Sequence, residues 1–298
     1  MHALLTPLEV SRAEALSDCE AYLARRFLPW RGLRRAVPPS AREGFAALYA
    51  WHELARELAA LPGVFERRRA LEELGHELER ALREDARSPV GRALSFAVRR
   101  HGLAEELLRR PLLERRREEH LATFETREAL LGHARALAVP EARLYLAVLG
   151  ETRARAEALA DACALALQLT RWLAELAPDL ARGVLHLAMD ELLRAGVELA
   201  ELAPDAPRRL PSPALTRVLA AEVARARELY ARGWELCPLL GPLRGRALAF
   251  VLRWNAATLA ALEARKLDAL RGPPPAGGLR LAACLVTSAA TTAPPALG

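Results

Sequence analysis

Breakers divide this chain into runs whose apolar residues recur at helical spacing. Thr6-Pro7 precedes a helix predicted from Leu8 to Arg26, and a loop follows around Pro29 to Arg35. Pro38-Pro39-Ser40 then reads as a helix start, with Ser40 as N-cap and Glu43 three residues on. That helix should run to about Leu61 and stop at Pro62-Gly63. Further helices are predicted at Val64 to Asp85, Pro89 to His101, Ala104 to Ala122, Thr126 to Leu137 and Pro140 to Val148. A long apolar helix, Thr152 to about Leu176, is followed by Gly183 to Ala195, Pro213 to Cys237, Pro242 to Leu270 and Gly277 to Ala290. The loops Ala203 to Pro213 and Gly272 to Gly278 are rich in breakers, but neither is flanked by a shift in composition. One helical domain over 1–298 is therefore expected, and no repeat of fixed period is visible.

Composition sharpens the fold class. The 298 residues contain no Ile, one Asn (Asn255) and one Lys (Lys266), while Ala, Leu, Arg and Glu dominate. These are strong helix formers, and with aromatics at 5% the chain lacks the residues that strands need. An all-α protein follows. The net charge of +6 draws weakly on anionic partners, but Arg is interleaved with Glu, as in Arg115-Arg116-Arg117-Glu118-Glu119. That pattern predicts a solvated helix face, and no nucleic-acid motif accompanies it. Cys19, Cys163, Cys237 and Cys284 form no CxxC pair, so buried thiols in a reducing cytoplasm are expected. The N-terminus lacks a signal-peptide pattern. The longest apolar stretch, Leu281 to Ala290, is too short to span a bilayer and reads as a closing core helix.

Two segments carry candidate chemistry. The helix Ala158 to Leu176 is apolar almost all round, as the centre of a bundle requires, and it ends in Gln168-Leu169-Thr170-Arg171-Trp172 and Glu175. Glu175 and Asp179 stand four apart, which puts two carboxylates on one face and would suit Mg²⁺. The plainer alternative is a helix end with exposed acids, with Pro178 marking the boundary. Glu53 and Glu57 are a second i, i+4 pair, and Arg56 beside them allows an ordinary salt-bridged face instead.

In these segments the chain resembles the squalene/phytoene synthases. Leu48-Tyr49-Ala50-Trp51 is similar to the "LYAF" before that family's first aspartate-rich motif. Gln168-Leu169-Thr170 through Asp179, then Arg182-Gly183, Leu187 and Asp190-Glu191-Leu192, resembles the second motif. Thr123-Phe124-Glu125-Thr126 through Leu131 resembles a segment between them, and the register runs from about residue 18 to 290, leaving 291–298 as a flexible tail. The resemblance implies an isoprenoid-synthase-type bundle around a central cavity, lined by the helices that carry Tyr49 and Gln168. It implies head-to-head condensation of two prenyl diphosphates, with Mg²⁺ held by two acid motifs. Its site residues map onto Tyr49, Arg56, Gln168, Arg171 and Arg182 for substrate. Glu57, Glu175 and Asp179 map as a remnant metal set, with Glu53 a shifted acid.

The departures redirect that expectation. Where the family has "CRxxDDxxD", this chain has His52-Glu53-Leu54-Ala55-Arg56-Glu57-Leu58-Ala59-Ala60, so the outer aspartate positions are Arg56 and Ala60. In the second motif the family's Asn is Arg171, its tyrosine is His186, and Pro29-Trp30 stands near an expected Ser-Phe pair. A cation is repelled where an acid becomes Arg56, whereas guanidinium groups bind diphosphate directly. The expected function is thus binding of an isoprenoid diphosphate or related anionic lipid, with weak or no transfer, as in the family's non-catalytic branch. The alternative is an active synthase in terpenoid or carotenoid biosynthesis, using Mg²⁺. Expected partners are the lipid ligand and a peripheral membrane contact, with no nucleic acid.

Overall fold

The computed structural model describes residues 2–7, 10–26, 30–118, 123–203, 210–275 and 277–294. It is 78% helical, with no strand among the described residues; Phe124 and Ala188 form an isolated bridge. The helices are α1 Arg12–Arg26, α2 Trp30–Ala36, α3 Arg42–Ala59, α4 Val64–Leu82, α5 Pro89–His101, α6 Glu105–Arg117 and α7 Arg127–Val148. They continue as α8 Ala154–Ala174, α9 Leu176–Ala181, α10 Met189–Ala195, α11 Pro213–Trp234, α12 Leu236–Leu239, α13 Gly241–Ala264 and α14 Gly278–Ala290. Backbone contacts group the chain into two compact units. The first is Met1–Glu119 with Pro140–Glu157, and the second is His120–Val139 with Ala158–Gly298.

In the first unit α3 packs against α1, α4 and α5. Its inner face is small and apolar, with Ala46, Ala47, Leu48, Ala50 and Leu54 fully buried, so the helices approach closely. Gly44 shows the limit, because a Cβ there would lie 2.4 Å from His101 Nε2. The start of α5 is fixed by chemistry visible in the sequence. Ser88 caps it by accepting from Gly91 N–H at 3.2 Å, with Pro89 at the first helical position. Beneath the cap, buried Glu77 Oε1 accepts from the Arg87 and Ser88 amides at 2.9 and 2.8 Å and from the Ser88 hydroxyl at 2.7 Å.

The second unit is organised by α8, α11 and α13. Thr170 and Tyr230 join α8 to α11 by a buried hydroxyl pair at 2.9 Å. Gly233 admits Cys163, whose thiol donates to the Gly233 carbonyl at 3.2 Å. Arg225 holds Glu191 through two bonds of 2.7 and 2.6 Å and also meets Glu222, which Arg127 approaches from α7. The segment past α14, predicted as the start of a tail, is held through residue 293. Trp234 Nε1 donates to the Thr292 carbonyl at 2.6 Å, and Arg253 reaches the Ala293 carbonyl. Residues 295–298 lie outside the described residues.

Several predicted boundaries move, each for a local reason. The stretch expected as a loop after Pro29 contains α2, because Trp30, Leu33 and Val37 bury together as one apolar face. Ser40 sits in a 3-10 turn, Pro39–Ala41, and Ala41 rather than Ser40 precedes α3. α7 runs unbroken through Pro140, where two helices were expected. Conversely, the long apolar helix ends at Ala174, and Pro178 lies inside the first turn of α9, where a missing N–H costs nothing. The segment Gly183–Ala195 is helical only from Met189, and α11 stops at Trp234. The predicted loop 203–213 falls largely outside the described residues, as do the predicted helix ends at Leu8 and Ala122. All four cysteines are buried free thiols. Among the described helices α13 is long and apolar enough to cross a membrane, with a third of that window buried. It carries Arg253, which donates to Ser288 Oγ on α14 at 2.9 Å.

Candidate functional site

The first acid motif lies on α3, in the first unit. Most of α3 is buried, and Tyr49, Glu53, Arg56 and Glu57, recurring about every fourth residue, lie half-buried at the margin of the core. Tyr49 joins an aromatic cluster, stacked on Trp30 at 5.7 Å and edge-on to Tyr145 at 6.4 Å, with Phe45 4.7 Å from Tyr145. One turn on, buried His52 shares a hydrogen bond with the Tyr145 hydroxyl at 3.0 Å. Burial pushes the Tyr145 phenol well above its usual range and pushes His52 down to about 4, so His52 is neutral.

Arg56 occupies the centre of this margin. Its guanidinium donates to Glu53 at 2.5 Å and to Glu141 at 2.7 Å, and Glu141 also accepts from buried Arg115 at 3.1 Å. Burial opposes the charge on Arg56, yet the two carboxylates outweigh it and hold the guanidinium well above its normal range. Two acids and two arginines sum to zero formal charge. Glu57 turns towards α1 instead. It accepts from the Tyr22 hydroxyl at 2.8 Å and is bonded by Arg26, with His2 Nε2 3.6 Å away. Tyr22 and Arg26 also line a surface cavity of about 580 Å³, together with His2, Leu4, Asp18 and Arg25.

The second motif lies in the second unit, where α8 gives way to α9. The backbone bond from Asp179 N–H to the Glu175 carbonyl, 2.9 Å, keeps the i, i+4 relation across the break. The two side chains differ in setting, for Glu175 is half-buried and Asp179 is 2% exposed. One oxygen of Asp179 is bonded by Arg182 and the other meets His186 Nδ1 at 2.8 Å. Gln168 is buried and accepts from Arg171 at 2.8 Å. His186 stacks on Trp172 at 4.3 Å, and His133 lies parallel to the same indole at 5.7 Å.

Magnesium requires several oxygen ligands that are not already committed to cations. The donor set on α3 does not fit it, since Glu53 is bonded by Arg56 and Glu57 by Arg26. In the second motif both Asp179 oxygens are likewise taken by cationic or imidazole donors. Sequence spacing missed Glu141 and Tyr145, which lie 85 and 93 positions from Arg56 and His52, and Arg115, which lies 26 positions from Glu141. The one available signal was Arg56 itself, because a cation on a core margin demands an acid from elsewhere.

Comparison with known proteins agrees with this architecture. The squalene/phytoene synthase family model matches residues 18–280. Squalene synthase HpnC from Alicyclobacillus acidocaldarius is 26% identical, with a TM-score of 0.75 over 91% of this chain and 99% of that one. A dehydrosqualene synthase solved with a ligand is 19% identical, with a TM-score of 0.83 over 94% and 96% of the two chains. YisP from Bacillus subtilis is 16% identical, with a TM-score of 0.69 over 94% and 100%. The latter two show the fold. No curated protein sequence gives a match. With a helical fold, two motif helices and a family match over most of its length, the chain belongs to the squalene/phytoene synthase family.

Proposed function

We propose that this chain binds a prenyl diphosphate or a related anionic lipid and performs head-to-head transfer weakly or not at all. The observation that carries the reading is Arg56, bonded to Glu53 and Glu141 at a position where the family has an aspartate. Ionising a diphosphate needs strong, concentrated positive charge on its oxygens. A guanidinium already neutralised by two carboxylates supplies less of it than a metal cluster. Arg56, Arg171 and Arg182 are the proposed contacts for the anionic head, and Tyr49 and Gln168 further ligand contacts. Glu175 and Asp179, with Glu57 and Glu53, are the residue of a metal set that no longer works as one.

The second reading, an active divergent synthase, is favoured by HpnC, a squalene synthase matched over 99% of its length. One assay separates the two. Radiolabelled farnesyl or geranylgeranyl diphosphate with Mg²⁺ should give no squalene-like or phytoene-like hydrocarbon, while calorimetry with a non-hydrolysable farnesyl diphosphate analogue should show saturable binding. A robust hydrocarbon product overturns the first reading, and absence of binding overturns both.

A further inference from the structure

We propose that α14 docks the protein onto the surface of a bilayer containing anionic phospholipid. A helix on a water-soluble surface turns its polar side outward, and α14 does the opposite. Its buried stripe is Cys284 and Ser288, while Leu279 is 91% and Val286 70% exposed. Ala282, Ala283 and Ala289 fall on the same outer stripe at spacings of three and four residues, with Leu285 exposed at its edge. No charged residue interrupts that face. Arg280, the one charged residue between 272 and 294, turns inward, donates to the Trp254 carbonyl and lies over the Trp254 ring at 4.6 Å.

Three observations choose lipid as the occupant. A 13-residue helix is about 20 Å long, and one face about 10 Å wide offers on the order of 200 Å². A stable dimer needs about 800 Å² from each partner, so a second copy is poorly served. The face holds no aromatic or outward arginine anchor of the kind that dominates protein interfaces. Charge completes the choice, because no acidic residue follows Asp268, while exposed Lys266 and Arg271 precede the helix. An aliphatic face with basic flanks is suited to shallow insertion among anionic head groups.

The test is co-flotation of the full chain with vesicles of phosphatidylcholine alone and of phosphatidylcholine mixed with phosphatidylglycerol. The mixed vesicles should bind the protein, and added salt should weaken the binding. Leu279→Glu with Val286→Glu should lower vesicle affinity about tenfold or more, with an unchanged melting temperature, since both side chains point into water. No binding to mixed vesicles, equal binding to both kinds, or binding indifferent to the double variant would each overturn the proposal. So would a concentration-dependent dimer in light scattering that the double variant abolishes, since it would assign the face to a second copy. The assay needs no prenyl ligand, so its failure is distinct from failure of the function proposed above.

Discussion

His52 condenses the energetics of the α3 margin into one side chain. Burial lowers its pKa to about 4; nearby Arg56 and Arg115 act in the same sense, and Glu141 opposes them. The unfolded chain titrates near 6.5, so between these values the unfolded state binds more protons than the folded one. Stability from this group is complete above about pH 6.5 and is lost as pH falls towards 4, by up to about 3 kcal/mol. His52→Gln should remove that slope relative to the parent in melting curves taken across the window, and parallel curves would refute the assignment. The sequence made part of this margin legible. The resemblance marked Arg56 as standing in place of a family acid, and spacing offered Glu53 or Glu57 as its local partner, of which the structure selects Glu53. Glu141 was not legible, because a partner 85 residues away is set by how helices pack and leaves no local trace.

Among the elements, α5 was legible from its chemical start signal, whereas the Ser40 and Glu43 signal placed the start of α3 too early and proline misplaced other boundaries. α5 runs from Pro89 to His101 as predicted, since Ser88, Pro89 and the left-handed Gly102 mark both ends. Proline misled twice: α7 continues through Pro140, and Pro178 lies within α9 rather than at a boundary. Packing carries α7 through Pro140 at the cost of one helical hydrogen bond, whereas Pro178 sits in a first turn that leaves its N–H without a helical partner in any case. The cap of α5 also predicts a large effect from a small change. A Cβ on Gly91 would lie 2.1 Å from Glu77 Oε1, the atom that accepts the Arg87 and Ser88 amides. Gly91→Ala must displace a buried carboxylate from its donors and should cost about 2 kcal/mol or more. Gly102→Ala meets no atom within 4 Å and bears only its positive φ of 59°, a strain of about 1 kcal/mol. Denaturant midpoints should therefore rank Gly91→Ala well below Gly102→Ala, and equal values would refute the steric account.

On the scale of the whole molecule, a net charge of +6 hides how thoroughly the arginines near the motifs are engaged. Arg56 is held by Glu53 and Glu141, Arg182 by Asp179, and Arg171 by Gln168. On the function proposed above, a diphosphate would have to compete with the protein's own acceptors, and each bond gained on Arg56 would replace one to a carboxylate. Internal acids then stabilise the empty fold and weaken binding at the same time. Glu53→Gln keeps the shape of the side chain but removes its charge, leaving Arg56 held mainly by Glu141. Affinity for a non-hydrolysable farnesyl diphosphate analogue should rise several-fold, about 1 kcal/mol, while the melting temperature falls. Arg171→Ala should act in the other direction, weakening the same ligand by about 1–3 kcal/mol through loss of a charged hydrogen bond. Calorimetry on the two variants checks both signs. If Glu53→Gln lowers stability with no gain in affinity, Arg56 is a structural cation only, and the diphosphate contact must be sought elsewhere on the chain.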